Sequence, residues 1–341
     1  MPPSAHSRGG YFANVNPPGR KPHRSDILDW SDQVRIANGR LREALELAGV
    51  LPGADDWRRF LDRILLFMGV VLLAAGVIFF FAFNWQAMGR LTKFALVEVP
   101  ILAVLGLVWR LGVDSIAGKA TLLLASLLAG ALLALVGQTY QTGADTFELF
   151  VAWAAAILPW VLVARFPALW IVWLALLNVA VSLYFRTFGL FWGMLFDPEK
   201  LLWVAFGLNT AALVVWEGLA AGGLKWLRER WSVRILATAS GGLIASLALH
   251  DIFEWHNSSH WGAPLWLAWM VTAYVVYRHL VRDVYVLAVG VLSAIVVVTS
   301  FVANGIGHAE AGVFLLVGLL VIGMSAAGGY WLKLVATEEG S

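Results

Sequence analysis

Three observations predict an all-α polytopic membrane protein with about ten transmembrane helices and a short cytoplasmic N-terminal helical segment. Apolar stretches near twenty residues long succeed one another from Ile64 to Lys333, the length an α-helix needs to cross ~30 Å of hydrocarbon. The chain is 60% hydrophobic and 13% charged, with a mean hydropathy of +0.77. A soluble domain carries roughly 25% charged residues, and ten fully apolar helices would leave such a domain almost no polar surface. Finally, the basic residues are distributed unevenly among the connecting loops, as a membrane orientation requires.

Taken in order, residues 1–24 are polar and rich in Pro and Gly, and predict a disordered tail. From Ser25 the pattern changes. Ile27, Val34, Leu41 and Ala48 recur every seven residues, with Trp30, Ala37 and Ala44 in the intervening apolar register. Ser25 or Asp26 can cap this helix, and Gly49, Pro52 and Gly53 end it. Asp55 can cap a second short helix through Trp57 and Phe60 into the membrane. The spans that follow are 64–83, 94–112, 119–139, 147–165, 167–186, 200–221, 232–250, 264–281, 284–303 and 311–332. They divide into a five-helix membrane unit over 63–190 and another over 191–334, with a cytoplasmic tail at 335–341. Pro167 and Pro264 stand at helix starts, where an amide hydrogen is not needed. Ser126, Gly130 and Ala134, then Gly241 with Ala245 and Gly242 with Ser246, place small residues four apart, which lets helix backbones approach closely in lipid.

With ten spans and a cytoplasmic N-terminus, the tail before the first span holds Arg8, Arg20, Lys21, Arg24, Arg35, Arg40, Arg42, Arg58, Arg59 and Arg63. The inner loops hold Arg110, Lys119, Arg165, Lys225, Arg228, Arg230, Arg234, Arg278, Arg282 and Lys333. Of the 24 basic residues, only Arg90, Lys93, Arg186 and Lys200 fall outside. This asymmetry predicts a bacterial cytoplasmic membrane protein with both termini inside, anchored by an uncleaved first span. Trp85, Trp109, Trp170, Trp192, Trp203, Trp231 and Trp331 lie near span ends, the level indoles prefer. A net charge of +2 gives no sign of nucleic-acid binding, and the absence of cysteine removes disulfides, thiolate metal sites and cysteine nucleophiles together.

Particular segments carry a resemblance. The run from Arg63 through Phe79 to Asn84 and Trp85, then Gly137-Gln138-Thr139-Tyr140-Gln141-Thr142-Gly143, followed by Trp153 and Pro159, resembles a bacterial membrane family known as domain of unknown function 2157. The resemblance covers roughly residues 25–190, including the tail helix. It implies a bacterial cytoplasmic membrane and a multi-helix N-terminal unit. It brings no established activity and no catalytic residues.

Polar residues in and beside the spans are the candidates for function. Gln138, Thr139, Tyr140, Gln141, Thr142, Gly143 and Asp145 leave the exterior end of the third span, where they can line a vestibule or cap a helix end. Glu98 lies one turn into the second span, two residues before Pro100, whose missing amide frees the carbonyl of Leu96. A carboxylate beside a broken helix can form an ion site, or it can pair with Lys93 or Arg90 at the headgroups. Glu217 sits near the inner end of its span, and Asn178 and Asn209 fall mid-span, where interhelical hydrogen bonding is their ordinary use. An exterior group of His250, Asp251, Glu254, His256 and His260, with His308 and Glu310 in another loop, has the ligand types and the four-residue spacing of a zinc site. A solvated polar loop is the alternative. The His-x-x-x-His spacing lacks the Glu of the protease signature.

Three classes of function stand. A transporter or permeation pathway for a small solute or ion would use Glu98, Gln138, Tyr140, Gln141 and Asp145 near the exterior end of the second and third spans, with Glu98 and Gln138 facing each other inside the bundle. A non-catalytic scaffold or accessory subunit would have a dry interior, headgroup-facing polar residues and a stable partner. A membrane-embedded enzyme would act on a lipid or lipid-linked substrate through residues such as Asp145, Glu254 and His256. No phosphate-binding loop, dinucleotide fingerprint or nucleophile elbow is present, and no cofactor is expected. The expected partners are membrane lipids and, through residues 25–50, a second copy or another membrane protein.

Overall fold

A computed structural model describes residues 27, 30, 31, 40–49, 51–84, 89–140, 143–189, 198–254, 258–306 and 311–338. The described residues are 89% helical and contain no strand. The helices are α1 (Leu41–Leu47), α2 (Ala54–Asn84), α3 (Arg90–Leu111), α4 (Ile116–Tyr140), α5 (Thr146–Ala164), α6 (Pro167–Gly189), α7 (Pro198–Ala221), α8 (Arg230–Phe253), α9 (Gly262–Val275), α10 (Val284–Ile306) and α11 (Ala311–Glu338). Nine of them are long and apolar enough to cross a membrane, so the chain is a multi-pass helical membrane protein. The expected span at 264–281 is α9, fourteen residues long, continued by a π-helical turn at Val276–Leu280.

Two compact units are present: residues up to Asp62 together with those from Ala336, and Arg63–Val335. In the first, Ile27, Trp30 and Ser31 are helical, but Arg40 is not, so α1 starts afresh at Leu41. The single helix expected from Ser25 to Gly49 is therefore interrupted. Gly49 does end α1, in a left-handed conformation (φ 71°) that suits glycine. Most of the expected tail, including residues 1–24, lies outside the described residues. The second short helix expected from Asp55 is not separate from the first span. Asp55, Trp57 and Phe60 belong to α2 itself, whose 31 residues run for about 46 Å at 1.5 Å per residue.

Within Arg63–Val335 the core has an N-terminal part and a C-terminal part. Leu122, Leu128, Ile157, Val161 and Leu169 centre the first, among α2 to α6. Leu213, Trp216, Val233, Leu236 and Val286 centre one cluster of the second, and Ile244, Leu247 and Trp266 another. Helix α6 belongs to both: Leu169 and Leu176 face the first part, and Leu174 the second. Along α11 no residue of the apolar stretch is buried within the chain, as suits a lipid-facing helix.

The small-residue stripes seat indoles. A Cβ at Gly130 would collide with the Trp153 ring, and one at Gly241 would come within 2.7 Å of the Trp269 ring. Trp153 Nε1 donates to the Ser126 carbonyl at 2.7 Å, and Trp269 Nε1 donates to Ser240 Oγ at 3.1 Å. Spacing alone suggested backbone-to-backbone approach at these places. The structure puts a flat aromatic ring in the gap, anchored by its own N–H. Close backbone approach occurs instead at Gly262, where an added Cβ would overlap the Leu247 carbonyl.

Candidate functional site

At the bundle end that carries the α5–α6, α7–α8 and α9–α10 turns, four charged side chains from distant parts of the sequence meet. Glu217 lies one turn before the end of α7. Arg230 and Arg234, four apart, project from the same face of the first turns of α8. Asp283 sits just ahead of α10. Arg230 Nη1 donates to Glu217 at 3.1 and 3.3 Å, and its Nε donates to Asp283 Oδ2 at 3.1 Å. Arg234 Nε donates to both Asp283 oxygens at 3.1 and 3.2 Å. The Asp283 side chain is 1% exposed, against 29% for Arg230 and 44% for Arg234.

Local sequence explains why Asp283 is there. Arg282 adopts a left-handed φ of 49° that turns the chain after the π-helical segment. Asp283 then caps α10, its Oδ1 accepting the Tyr285 N–H at 3.1 Å, and its own N–H donates to the Tyr277 carbonyl at 3.0 Å. Tyr277 is buried, and the Arg230 guanidinium lies 5.8 Å from its ring centroid. Two carboxylates and two guanidiniums balance, which offsets the cost of taking charged groups out of water. Arg230 Nη2 is the one group of this cluster enclosed without an acceptor.

The middle of the bundle holds further polar pairs. Asn209 Nδ2 donates to Asn178 Oδ1 at 2.7 Å, joining α6 to α7, and each amide also donates to a carbonyl one turn back in its own helix. Thr210 and Ser240 hydroxyls lie 2.7 Å apart across α7 and α8, completing a chain with Trp269. Such pairing satisfies polar groups that lipid cannot. At the opposite end of α7, the buried Glu199 accepts hydrogen bonds from Trp203 Nε1 at 3.0 Å and from the Ser259 N–H at 3.1 Å.

The residues singled out from sequence take the following places. Glu98 is exposed on α3: its neighbour Val97 packs with Leu135 of α4, so the next residue is rotated about 100° away. Pro100 lies inside α3. Gln138 and Tyr140 are exposed at the end of α4, and Gln141 lies outside the described residues. The Tyr140 ring is 6.0 Å from that of Phe94, one turn before Glu98, so the start of α3 and the end of α4 do adjoin. Among the described residues no hydrogen bond joins Glu98 to Gln138. Asp145 precedes α5 as its N-cap, its N–H donating to Glu148 at 3.2 Å in a capping box.

Of the histidines singled out from sequence, His250 and His260 fall among the described residues. His250 is at the end of α8, and its Nδ1 is enclosed without a partner. Asp251 accepts the Ala263 N–H at 2.9 Å and so ties the start of α9 to α8. Glu254 is exposed, and His260 is exposed with Nδ1 3.1 Å from Ser258 Oγ. His256, His308 and Glu310 lie outside the described residues. Among the described residues no three His, Asp or Glu side chains gather as a metal would require. Sequence reading placed Glu217 at an interface and passed over Asp283. The Arg230–Asp283 pair spans 53 positions, and only the Asp-x-Tyr start of α10 gave a local hint of a capping carboxylate.

Residues 28–170 match the family described as "Predicted membrane protein", domain of unknown function 2157. The resemblance drawn above over roughly 25–190 is thereby shown across that segment, which includes Glu98, Gln138, Tyr140 and Asp145 and ends at the start of α6. No curated protein and no solved structure matches the chain.

Proposed function

We propose that the chain is a non-catalytic scaffold or accessory subunit of a membrane complex. The observation that carries this reading is the pairing of interior polar side chains with one another: Asn178 with Asn209, Thr210 with Ser240 and Trp269, and Glu217 and Asp283 with the two arginines. Groups committed in this way hold helices together and leave little with which to strip and pass a solute. The outward positions of Glu98, Gln138 and Tyr140 agree with headgroup contact. In this reading the membrane is the bacterial cytoplasmic one with both termini inside, supported by the twenty inner and four outer basic residues. The partner docks through residues 25–50 or through the uncovered helix faces. Native mass spectrometry of gently extracted protein tests the proposal. A second polypeptide or second copy at fixed stoichiometry is expected, and a lone chain at every detergent concentration overturns it.

A second reading, a permeation pathway for a small solute or ion, rests on Glu98 standing two residues before Pro100 within α3. The Leu96 carbonyl loses its usual amide partner there, and a carboxylate next to it is a reasonable cation ligand. Under this reading Glu98→Gln abolishes flux into cells or proteoliposomes without lowering the yield of folded protein. Unchanged flux removes Glu98 from any such role.

A further inference from the structure

Helices α6 and α7 pack less closely than α7 and α8, and a groove of about 280 Å³ lies between them. Its walls are Trp170, Trp173, Leu177, Ala211, Trp216 and Trp226 together with neighbouring aliphatic side chains, and they are almost wholly apolar. The groove begins at the turns. Trp170 is in the first turn of α6, Leu219 is two residues from the end of α7, and Trp226 and Leu227 belong to the 3₁₀ turn (Lys225–Leu227) between α7 and α8. From Trp170 to Leu177 and from Leu219 back to Leu208 it follows the helices for about 10–17 Å at 1.5 Å per residue. One end is thus at the headgroup level that indoles favour, and the other is well inside the hydrocarbon.

The mouth has its own chemistry. Exposed Arg165 is the left-handed residue between α5 and α6, five positions before Trp170, and exposed Arg228 is two positions after Trp226. Trp216 Nε1 donates to the Leu227 carbonyl at 3.2 Å and fixes the turn that bears Arg228. The Trp170 and Trp226 rings stack at 6.4 Å, and the Trp170 N–H is enclosed without an acceptor. An apolar slot of hydrocarbon depth, with indoles at its turn end and exposed arginines in the adjoining turns, matches an amphiphile with an acyl chain and a negative head. An uncharged lipid would leave the arginines unused.

We propose that this groove is a binding site for one anionic glycerophospholipid, with an acyl chain between α6 and α7 and its phosphate met by Arg165 and Arg228. The full chain, purified and stripped of lipid, is titrated with phosphatidylglycerol and with phosphatidylcholine of the same chains, and the adducts are counted by native mass spectrometry. Phosphatidylglycerol is expected to bind one per chain, at least five-fold more tightly than phosphatidylcholine. Ala211→Trp fills the slot and should lower that affinity at least five-fold, whereas Val321→Trp on α11 should not change it. Arg165→Gln with Arg228→Gln should abolish the preference for the anionic head while leaving chain binding. Equal binding of the two lipids by the native chain, or unchanged phosphatidylglycerol binding in Ala211→Trp, overturns the proposal. If Ala211→Trp does not fold, phosphatidylglycerol with a photoreactive acyl chain decides on the native protein. Labelling within 170–177 and 208–219 supports the site, and labelling confined to other helices overturns it.

Discussion

Asp283→Asn isolates the charge of the cluster, because asparagine keeps the shape and can still cap α10. What it removes is the negative partner of two guanidiniums. Arg234 is 44% exposed, so its share is that of a surface pair, about 0–1 kcal/mol after solvent screening. Arg230 is 29% exposed and meets a carboxylate that is 1% exposed; a hydrogen bond to a charged group in that setting contributes about 1.5–3 kcal/mol. The substitution should therefore destabilise the protein by about 2–3 kcal/mol. Unfolding followed in detergent micelles by denaturant titration reads the difference directly. Arg230→Gln alone should cost a similar amount, since it leaves Glu217 and Asp283 facing one arginine. The decisive comparison is the double variant: removing both charges should cost clearly less than the sum, by about 1–2 kcal/mol, because neither change then strands the other. Additive effects, or native stability in Asp283→Asn, would refute the view that this cluster holds the α7–α8 and α9–α10 turns together.

Other expectations follow from the same structure. Gly130→Ala should cost about 1–3 kcal/mol by overpacking against Trp153, and Trp153→Leu in the same chain should recover part of that loss in a thermal unfolding assay. Asn178→Leu strands the Asn209 amide and should cost about 0.6–1.7 kcal/mol. The double change with Asn209→Leu should be closer to native, and a double variant as unstable as the sum argues against the pair. Gly262→Val places a side chain on the Leu247 carbonyl and should sharply reduce the folded yield measured by size-exclusion chromatography; a native yield means α8 and α9 are not held together there.

Apolar length and composition made the helices legible, since an α-helix of about twenty residues is the main economical way to satisfy backbone groups in lipid. The periodicity of the tail did not reveal the break at Arg40, because a seven-residue repeat continues in register through a non-helical residue. Small residues at 126, 130 and 241 correctly marked tight places, but spacing carries no information about what fills them; Trp153 and Trp269 came from helices 27 and 29 positions away. Asp145 and Glu148 already formed a capping box in the sequence, and reading Asp145 as a vestibule residue overlooked that local chemistry. The charge cluster was hidden for a different reason. Its members are separated by turns whose geometry depends on a π-helical segment and on Arg282 at positive φ, neither of which has a sequence signature.

That π-helical turn can also be seen as an insertion absorbed without a loop. Five residues, Val276–Leu280, are wound where an α-helix would use about four per turn. The surplus residue lets Tyr277 keep its place while the chain still arrives at Asp283 in register with both arginines. Length and aim are therefore coupled at this end of the bundle. Losing one residue would rewind the turn as α-helix and swing everything beyond it by about 100°, carrying the capping carboxylate away from its partners. A segment of this kind tolerates changes of side chain more readily than changes of length.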